Sequence, residues 1–440
     1  MQITIEGNHS LVGTVKISGA KNSALKLIPA ALFSNDDVTL DNVPRIGTVL
    51  SDIELIKGIG ASVEWTGNNR ITVNGSKINT YEVPYELGRM RRTSLLLAGP
   101  LLFRFGKASI PKYSPVNFTS GPQNRYLETW KSLGIDVQDD GGFYHLNCDS
   151  AEAANINFRT SSHMGTDNAI LCALSIEGET IITNASEESE IDDLISMANL
   201  MGADVKRTDP RTIKVKGTKI FKGAVFDIQP DKSEAATFAA AAVLTNGNIE
   251  IKGVDRTVFI PFANFLSKIG ARFDFIENGI KVWRHEEALQ PVQVTIAPTP
   301  GFVPDWQSLA TLVLTQATGE SFVHDTVYIN RFGYVSDLNR MGAGIDMIKP
   351  SKINLIPIIS DDSYDFEKKG EAETVAKISG PKKLKGERLQ VSDFRFGAVL
   401  PLAALCAEGK SEIMGIENIE DYFENFVGKL EGLGARIWKQ

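Results

Sequence analysis

The chain has 440 residues, 42% apolar and 23% charged, with a net charge of −8 and a pI of about 5.4. That length predicts more than one domain. The composition is ordinary for a globular protein, and the acidic balance argues against a general nucleic-acid binder, which carries a basic surplus. Cys148, Cys172 and Cys406 are far apart and form no C-x-x-C pair, so neither a disulfide framework nor a zinc site is expected. The opening MQITIEGNHS alternates polar and apolar residues, unlike a signal peptide. No apolar run reaches the roughly 18 residues of a membrane span. A cytoplasmic protein without a membrane partner is expected.

In chain order, two patterns interleave. A first strand within Met1–Ser18 is followed by an apolar helix and strand over Leu25–Leu40, then by a leucine-rich helix ending at a glycine, LIKGIGASV, over Leu55–Val63. The same pair recurs at Thr93–Ile110 with Leu127–Val137, at Asn168–Ala185 with Leu194–Val205, and at Thr237–Val254 with Phe265–Phe273. It recurs again at Ser308–Val327 with Leu338–Ile345, and at Gly397–Ile416 with Leu430–Ile437. In the second pattern a glycine closes the helix, because glycine tolerates the left-handed cap conformation. Helices of the first pattern are apolar nearly all round and must be buried on most of their surface.

Six repeats of about 70 residues follow, each read as helix–strand–helix–strand–strand. A solenoid would leave fully apolar helices without an enclosed core. Two sets of three repeats, with sheets outside and apolar helices inside, satisfy them better. The expected fold class is α/β (α+β). Residues 21–229 form one three-repeat domain, residues 1–20 with 230–440 form the other, and a ligand cleft is expected between them.

Seven segments, in order over essentially the whole length, resemble one family. They are ISGAKNSAL at Ile17–Leu25, RFGKASI at Arg104–Ile110, EESEIDD at Glu187–Asp193, QPDKSEAATF at Gln229–Phe238, APTPGFVPD at Ala297–Asp305, TVYINRF at Thr326–Phe332 and SDFRFGA at Ser392–Ala398. The chain is similar to the enolpyruvyl transferases, in the branch acting on UDP-N-acetylglucosamine. The sister branch of the shikimate pathway shares the architecture, and SSHMGTD at Ser161–Asp167 leans toward it. The resemblance implies a two-domain inside-out α/β barrel closing around its substrates. It implies transfer of the enolpyruvyl group of phosphoenolpyruvate to the 3-hydroxyl of UDP-N-acetylglucosamine, with phosphate release, early in peptidoglycan precursor synthesis. It implies no metal or other cofactor, small-molecule partners only, and a monomer or weak oligomer.

Phosphoenolpyruvate carries a carboxylate and a phosphate, and the sugar nucleotide a diphosphate, so the site must gather cations from several places. Candidates at repeat edges are Lys21, Arg91 or Arg92, Arg331 and Arg395. By the motif match, Lys21 takes the phosphate, Arg92 the phosphate region, and Arg331 and Arg395 the carboxylate. Asp305 would remove the hydroxyl proton, and Asp305, Lys21 and Arg395 form the catalytic set. Asn22, Ser161, Ser162 and Val327 would hold the UDP-sugar, and Asn124 stands where the family has an Asp against uracil. Plainer readings exist. A lone arginine is usually a solvated charge, and Asp305, ahead of an apolar helix, also reads as an N-cap. Asp231 and Glu234 either orient Lys21 or cap a helix.

Two stretches depart from the family. Between Lys107 and Tyr126 the family carries a loop Cys or Asp, then an Arg before Pro. This chain has Val116 near the first position, Gly121 before Pro122, and no thiol or carboxylate anywhere in the loop. The stretch Ile416–Phe426 is acidic where a last cation is expected. Three readings stay open: a divergent carboxyvinyltransferase, one with an altered substrate, and a non-catalytic nucleotide-sugar binder. The first implies insensitivity to fosfomycin, which alkylates the loop Cys of the family.

Overall fold

The computed structural model describes residues 2–113, 124–284, 288–360, 364–393 and 398–439. The chain divides into two compact units, Gly19–Gln229 and Met1–Ser18 with Pro230–Gln440, each with its own apolar core.

In the unit containing Pro230–Gln440, the apolar segments form helices Lys232–Leu244, Gln307–Leu314 and Val399–Cys406, which pack on one another. Asp231 starts the first by accepting hydrogen bonds from the N–H groups of Ser233 and Glu234, the usual N-cap arrangement. Every residue from Glu234 to Leu244 is buried. Its run of alanines lets neighbouring backbones come close, and Phe238 is fully buried with its ring 6.2 Å from that of Phe426, so Phe238→Ala would cost about 3–5 kcal/mol.

In the unit Gly19–Gln229 the corresponding helices are Lys21–Ala31, Ala98–Phe105 and His163–Ala173. Ala98–Phe105 crosses His163–Ala173 at Gly99, where a Cβ would lie 2.6 Å from the Leu171 carbonyl oxygen. Only glycine permits that approach. A 3₁₀ turn, Arg92–Leu97, leads into Ala98–Phe105. Arg104 reaches back to the C-terminal end of Lys21–Ala31, its Nε donating to the Leu32 carbonyl at 2.7 Å.

The leucine-rich segments also fold as expected. Their closing glycines, Gly60, Gly134, Gly202, Gly270, Gly342 and Gly434, have φ of +100°, +68°, +105°, +82°, +99° and +95°. A side chain in that region is strained, so the chain turns there from helix into strand.

Among the described residues there are six sheets, five of four strands and one of three, making a mixed α/β fold. The first shows the pattern. Strand Val38–Asp41 follows the apolar helix, helix Gly47–Lys57 comes next, and the hairpin Ser62–Gly67/Arg70–Asn74 pairs antiparallel with it. The fourth strand, Ala224–Asp227, pairs parallel with Val38–Asp41. That strand precedes helix Lys232–Leu244 in sequence, yet joins a sheet some 180 residues back. Conversely, Val12–Lys16 precedes helix Lys21–Ala31 and pairs with Asn248–Lys252. The two strands are exchanged where the chain passes from one unit to the other. Strand Gln2–Glu6 lies between Lys410–Met414 and Arg436–Lys439, antiparallel to both. No helix among the described residues is long and apolar enough to cross a membrane.

Candidate functional site

Each unit carries its own group of the expected residues. In Gly19–Gln229, Lys21 is the first residue of its helix and is buried, with Asn22 half-buried beside it. An ammonium at a helix start faces the same space as the unpaired amide N–H groups, and an anion there would meet both. Arg92 opens the 3₁₀ turn and is exposed, with its Nε 3.0 Å from Met164 Sδ. Beneath it, the buried Asp52 carboxylate accepts from Thr93 Oγ1 at 2.9 Å and faces Arg91 Nη1 at 3.9 Å. Burial pushes Asp52 up to about 7, against the pull of Thr93 and Arg91.

Met164 belongs to helix His163–Ala173. Ser162 caps it, accepting from the Gly165 N–H at 3.1 Å, and Ser161 precedes the cap. Asn124 is the exposed first residue of helix Asn124–Ser132. The next residue, Arg125, lies against Gly165, its Cβ 3.4 Å from where a glycine Cβ would sit. The structure therefore brings Arg92, Asn124–Arg125 and Ser161–Ser162 to one helix start. Lys26, which the sequence did not single out, joins Lys21's helix to it. Lys26 Nζ lies 3.1 Å from Asp167 Oδ1 and touches His163 Nε2.

In the other unit, Asp305 lies in the 3₁₀ turn Pro304–Trp306, and Trp306, not Asp305, holds the cap position of helix Gln307–Leu314. The N-cap reading is therefore corrected: the extra turn moves Asp305 off the cap position. Its Oδ1 accepts from Arg331 Nη2 at 2.9 Å. The two residues assigned to base and carboxylate binding are thus joined by a charge-assisted hydrogen bond. Burial works most strongly against the Arg331 charge, but the Asp305 carboxylate together with the Tyr328 and Tyr422 hydroxyls holds the guanidinium above its ordinary range. The Tyr328 ring lies 4.9 Å from the same guanidinium.

The turn before Arg331 rests on Asp325. This fully buried carboxylate accepts from the N–H groups of Val327 at 2.8 Å and Tyr328 at 2.9 Å, and desolvation raises its pKa. Tyr334 Oη donates within a buried cluster of Gln307 Oε1 and Thr311 Oγ1, both 2.9 Å away. Sequence reasoning passed over Asp325, Gln307, Thr311 and Tyr334. The available signal was the pair of polar residues inside an apolar helix.

Glu234 has Lys429 Nζ and the Ser18 N–H, at 2.8 Å, among its partners, while Asp231 acts as a cap. Lys429, in the final helix Phe426–Gly432, is a cation that the sequence reading did not name. Asp393 lines a small cavity of about 140 Å³ with Asp337, Gln390 and Tyr334. Arg395, Val116, Gly121 and Pro122 lie outside the described residues. Cys172 is buried, and burial pushes its thiol up to about 12.

Residues 5–430 match the family described as EPSP synthase (3-phosphoshikimate 1-carboxyvinyltransferase). UDP-N-acetylglucosamine 1-carboxyvinyltransferase 1 of Caldanaerobacter subterraneus subsp. tengcongensis is 34% identical over 440 residues, covering 100% of this chain and 99% of that one. The Bacillus subtilis (strain 168) UDP-N-acetylglucosamine 1-carboxyvinyltransferase 2 is 33% identical over 439 residues, covering 100% and 96%. Among solved structures, the enolpyruvyl transferase NikO from Streptomyces tendae superposes with a TM-score of 0.85 at 24% identity, over 99% of this chain and 98% of that one. EPSP synthase from Acinetobacter baumannii does so at 0.73 and 16%, over all of both chains. These two establish the fold. Full-length identity above 30% and the family match together settle membership: this chain belongs to the enolpyruvyl transferase family.

Proposed function

We propose that the chain is a carboxyvinyltransferase that moves the enolpyruvyl group of phosphoenolpyruvate to the 3-hydroxyl of UDP-N-acetylglucosamine, in the cytoplasm, early in peptidoglycan precursor synthesis. The observation that carries this reading is 34% identity along the whole chain to a UDP-N-acetylglucosamine 1-carboxyvinyltransferase. On this reading each unit is an inside-out barrel of three repeats, with its apolar helices inside and its sheets outside.

The hydroxyl oxygen attacks C2 of phosphoenolpyruvate while C3 gains a proton. The C2–O bond to phosphate then breaks, and C3 gives up a proton to restore the double bond. Asp305 takes the hydroxyl proton, and its hydrogen bond to Arg331 fixes the direction in which its carboxylate points. Lys21 and Arg92 bind the phosphate, while Arg331 and Arg395 bind the carboxylate. Asn22, Asn124, Ser161, Ser162 and Val327 hold the nucleotide sugar. No thiol lies between Lys107 and Tyr126 to protonate C3.

A phosphate-release assay with both substrates tests the reading. Turnover is expected, falling about 10²- to 10⁴-fold in Asp305→Ala; a wild-type chain that releases no phosphate sinks it. Fosfomycin should leave the protein's mass unchanged, and a covalent adduct would refute the account of the loop. Asn124, where the family has an Asp, favours a second reading in which the donor is the same but the acceptor differs. A screen of hydroxylated nucleotides that finds no acceptor better than UDP-N-acetylglucosamine disposes of it.

A further inference from the structure

Lys26 sits in the middle of an apolar helix, where a charge must be compensated. Its side chain is 2% exposed, and that of its partner Asp167 1%. Burial pushes the Asp167 carboxyl up to about 6, with Lys26 pulling it down. The Asp167 carboxyl, 3.1 Å from Lys26 Nζ, is the group that balances the ammonium.

The third member is His163. Lys26 Nζ touches His163 Nε2, and Asp167 Oδ2 lies 3.8 Å from the same nitrogen. An ammonium has only donors, so Nε2 must accept and the ring proton sits on Nδ1. The ring is 27% exposed and opens the helix whose first turn is approached by Arg92 at Met164 and by Arg125 at Gly165. The buried Tyr126 hydroxyl has no hydrogen-bond partner among the described residues and lies within electrostatic reach of Arg92, Asp167 and Arg125. A buried hydroxyl with no partner among the described residues, in the field of two guanidinium groups and close to a helix start, points to an anionic ligand group.

We propose that the Lys26–Asp167 pair is a positioning device that presents His163 as an Nδ1–H donor to the anionic group of the acceptor nucleotide, making His163 a specificity-determining residue. This rests on the transferase reading for its substrate, but its geometry is tested separately.

Nitrogen NMR of the wild-type ring reads the tautomer without turnover, and titration with UDP reads contact. The Nδ1–H form and a UDP-dependent shift of the His163 ring are expected. In kinetics, His163→Gln should raise KM for UDP-N-acetylglucosamine about ten- to a hundredfold, leaving KM for phosphoenolpyruvate unchanged. His163→Asn, whose amide stands near Nδ1, should recover most of that loss. Lys26→Met with Asp167→Leu replaces the pair by apolar groups of similar size, a change that folds tolerate. It should lose the fixed tautomer and raise the same KM.

An Nε2–H ring, a ring unmoved by UDP, or His163→Gln with the wild-type acceptor KM overturns the proposal. A protein that releases no phosphate yet shows the tautomer and the UDP shift loses the transferase reading and keeps this one.

Discussion

Each unit sets one lysine against a buried carboxylate on an apolar helix, and the two pairs serve different ends. Lys26–Asp167 lies inside Gly19–Gln229 and touches an imidazole at a helix start. Lys429–Glu234 lies in the other unit and holds backbone: Lys429 Nζ donates to Ser18 Oγ at 2.7 Å, and Glu234 Oε2 accepts from the Ser18 N–H. The same two charges thus hold a side chain in one unit and a strand end in the other. A buried ion pair is weak evidence for stability in itself, since desolvation offsets the attraction. What it fixes is the position of whatever it touches.

Breaking either pair on one side should have the largest effect. Lys26→Met or Lys429→Met leaves a carboxylate buried without its cation, and about 3–5 kcal/mol of stability should vanish from urea denaturation. A loss under about 1 kcal/mol in either would show that its carboxylate finds another partner.

The next effect is in pH. The Asp167 carboxyl is raised from 3.8 to about 6 in the folded chain. Its contribution to stability is therefore complete below pH 3.8 and lost as pH rises through 6. Wild type should lose up to about 3 kcal/mol between pH 4 and 7 relative to the Lys26→Met, Asp167→Leu chain. Glu234 is also raised by burial, so its pair should change in the same direction. A wild type that gains stability over that window would reverse the sign.

The smallest effect separates the pairs. Replacing Lys26 and Asp167 together by Met and Leu should be close to neutral. Replacing Lys429 and Glu234 in the same way should still cost about 1 kcal/mol, because the Ser18 N–H loses its acceptor. Equal costs would mean that Ser18 is held by something else.

The fold was legible where local chemistry dictates it. Six helices had to end in a left-handed residue, and six glycines say where. Six segments were too apolar to face water. Grouping residues 1–20 with 230–440 already put Val12–Lys16 and Ala224–Asp227 in different units, but the strands they pair with were not legible, because a strand of four or five residues carries no mark of its partner. The site divides in the same way. Lys21 and Asp305 stood out through their flanking motifs. Lys26 did not, because a lysine in a helix ordinarily extends its ammonium into water, and its partner His163 is 137 residues away. Lys429 is 195 residues from Glu234. The 3₁₀ turn that moves Asp305 off the cap position is set by Pro304 and the packing of Trp306, neither of which announces a turn type.

The strand Gln2–Glu6 has one more consequence, for synthesis on the ribosome. Its partners are Lys410–Met414 and Arg436–Lys439, so Ile3 and Ile5 cannot be buried in their sheet until almost the whole chain has emerged. At about 5–20 residues per second that is a wait of roughly 20–80 s. All of Gly19–Gln229 is available to fold in the meantime. A strand made about 400 residues ahead of its partners is placed only when they arrive, and until then its apolar face must be shielded by a chaperone or by transient contacts.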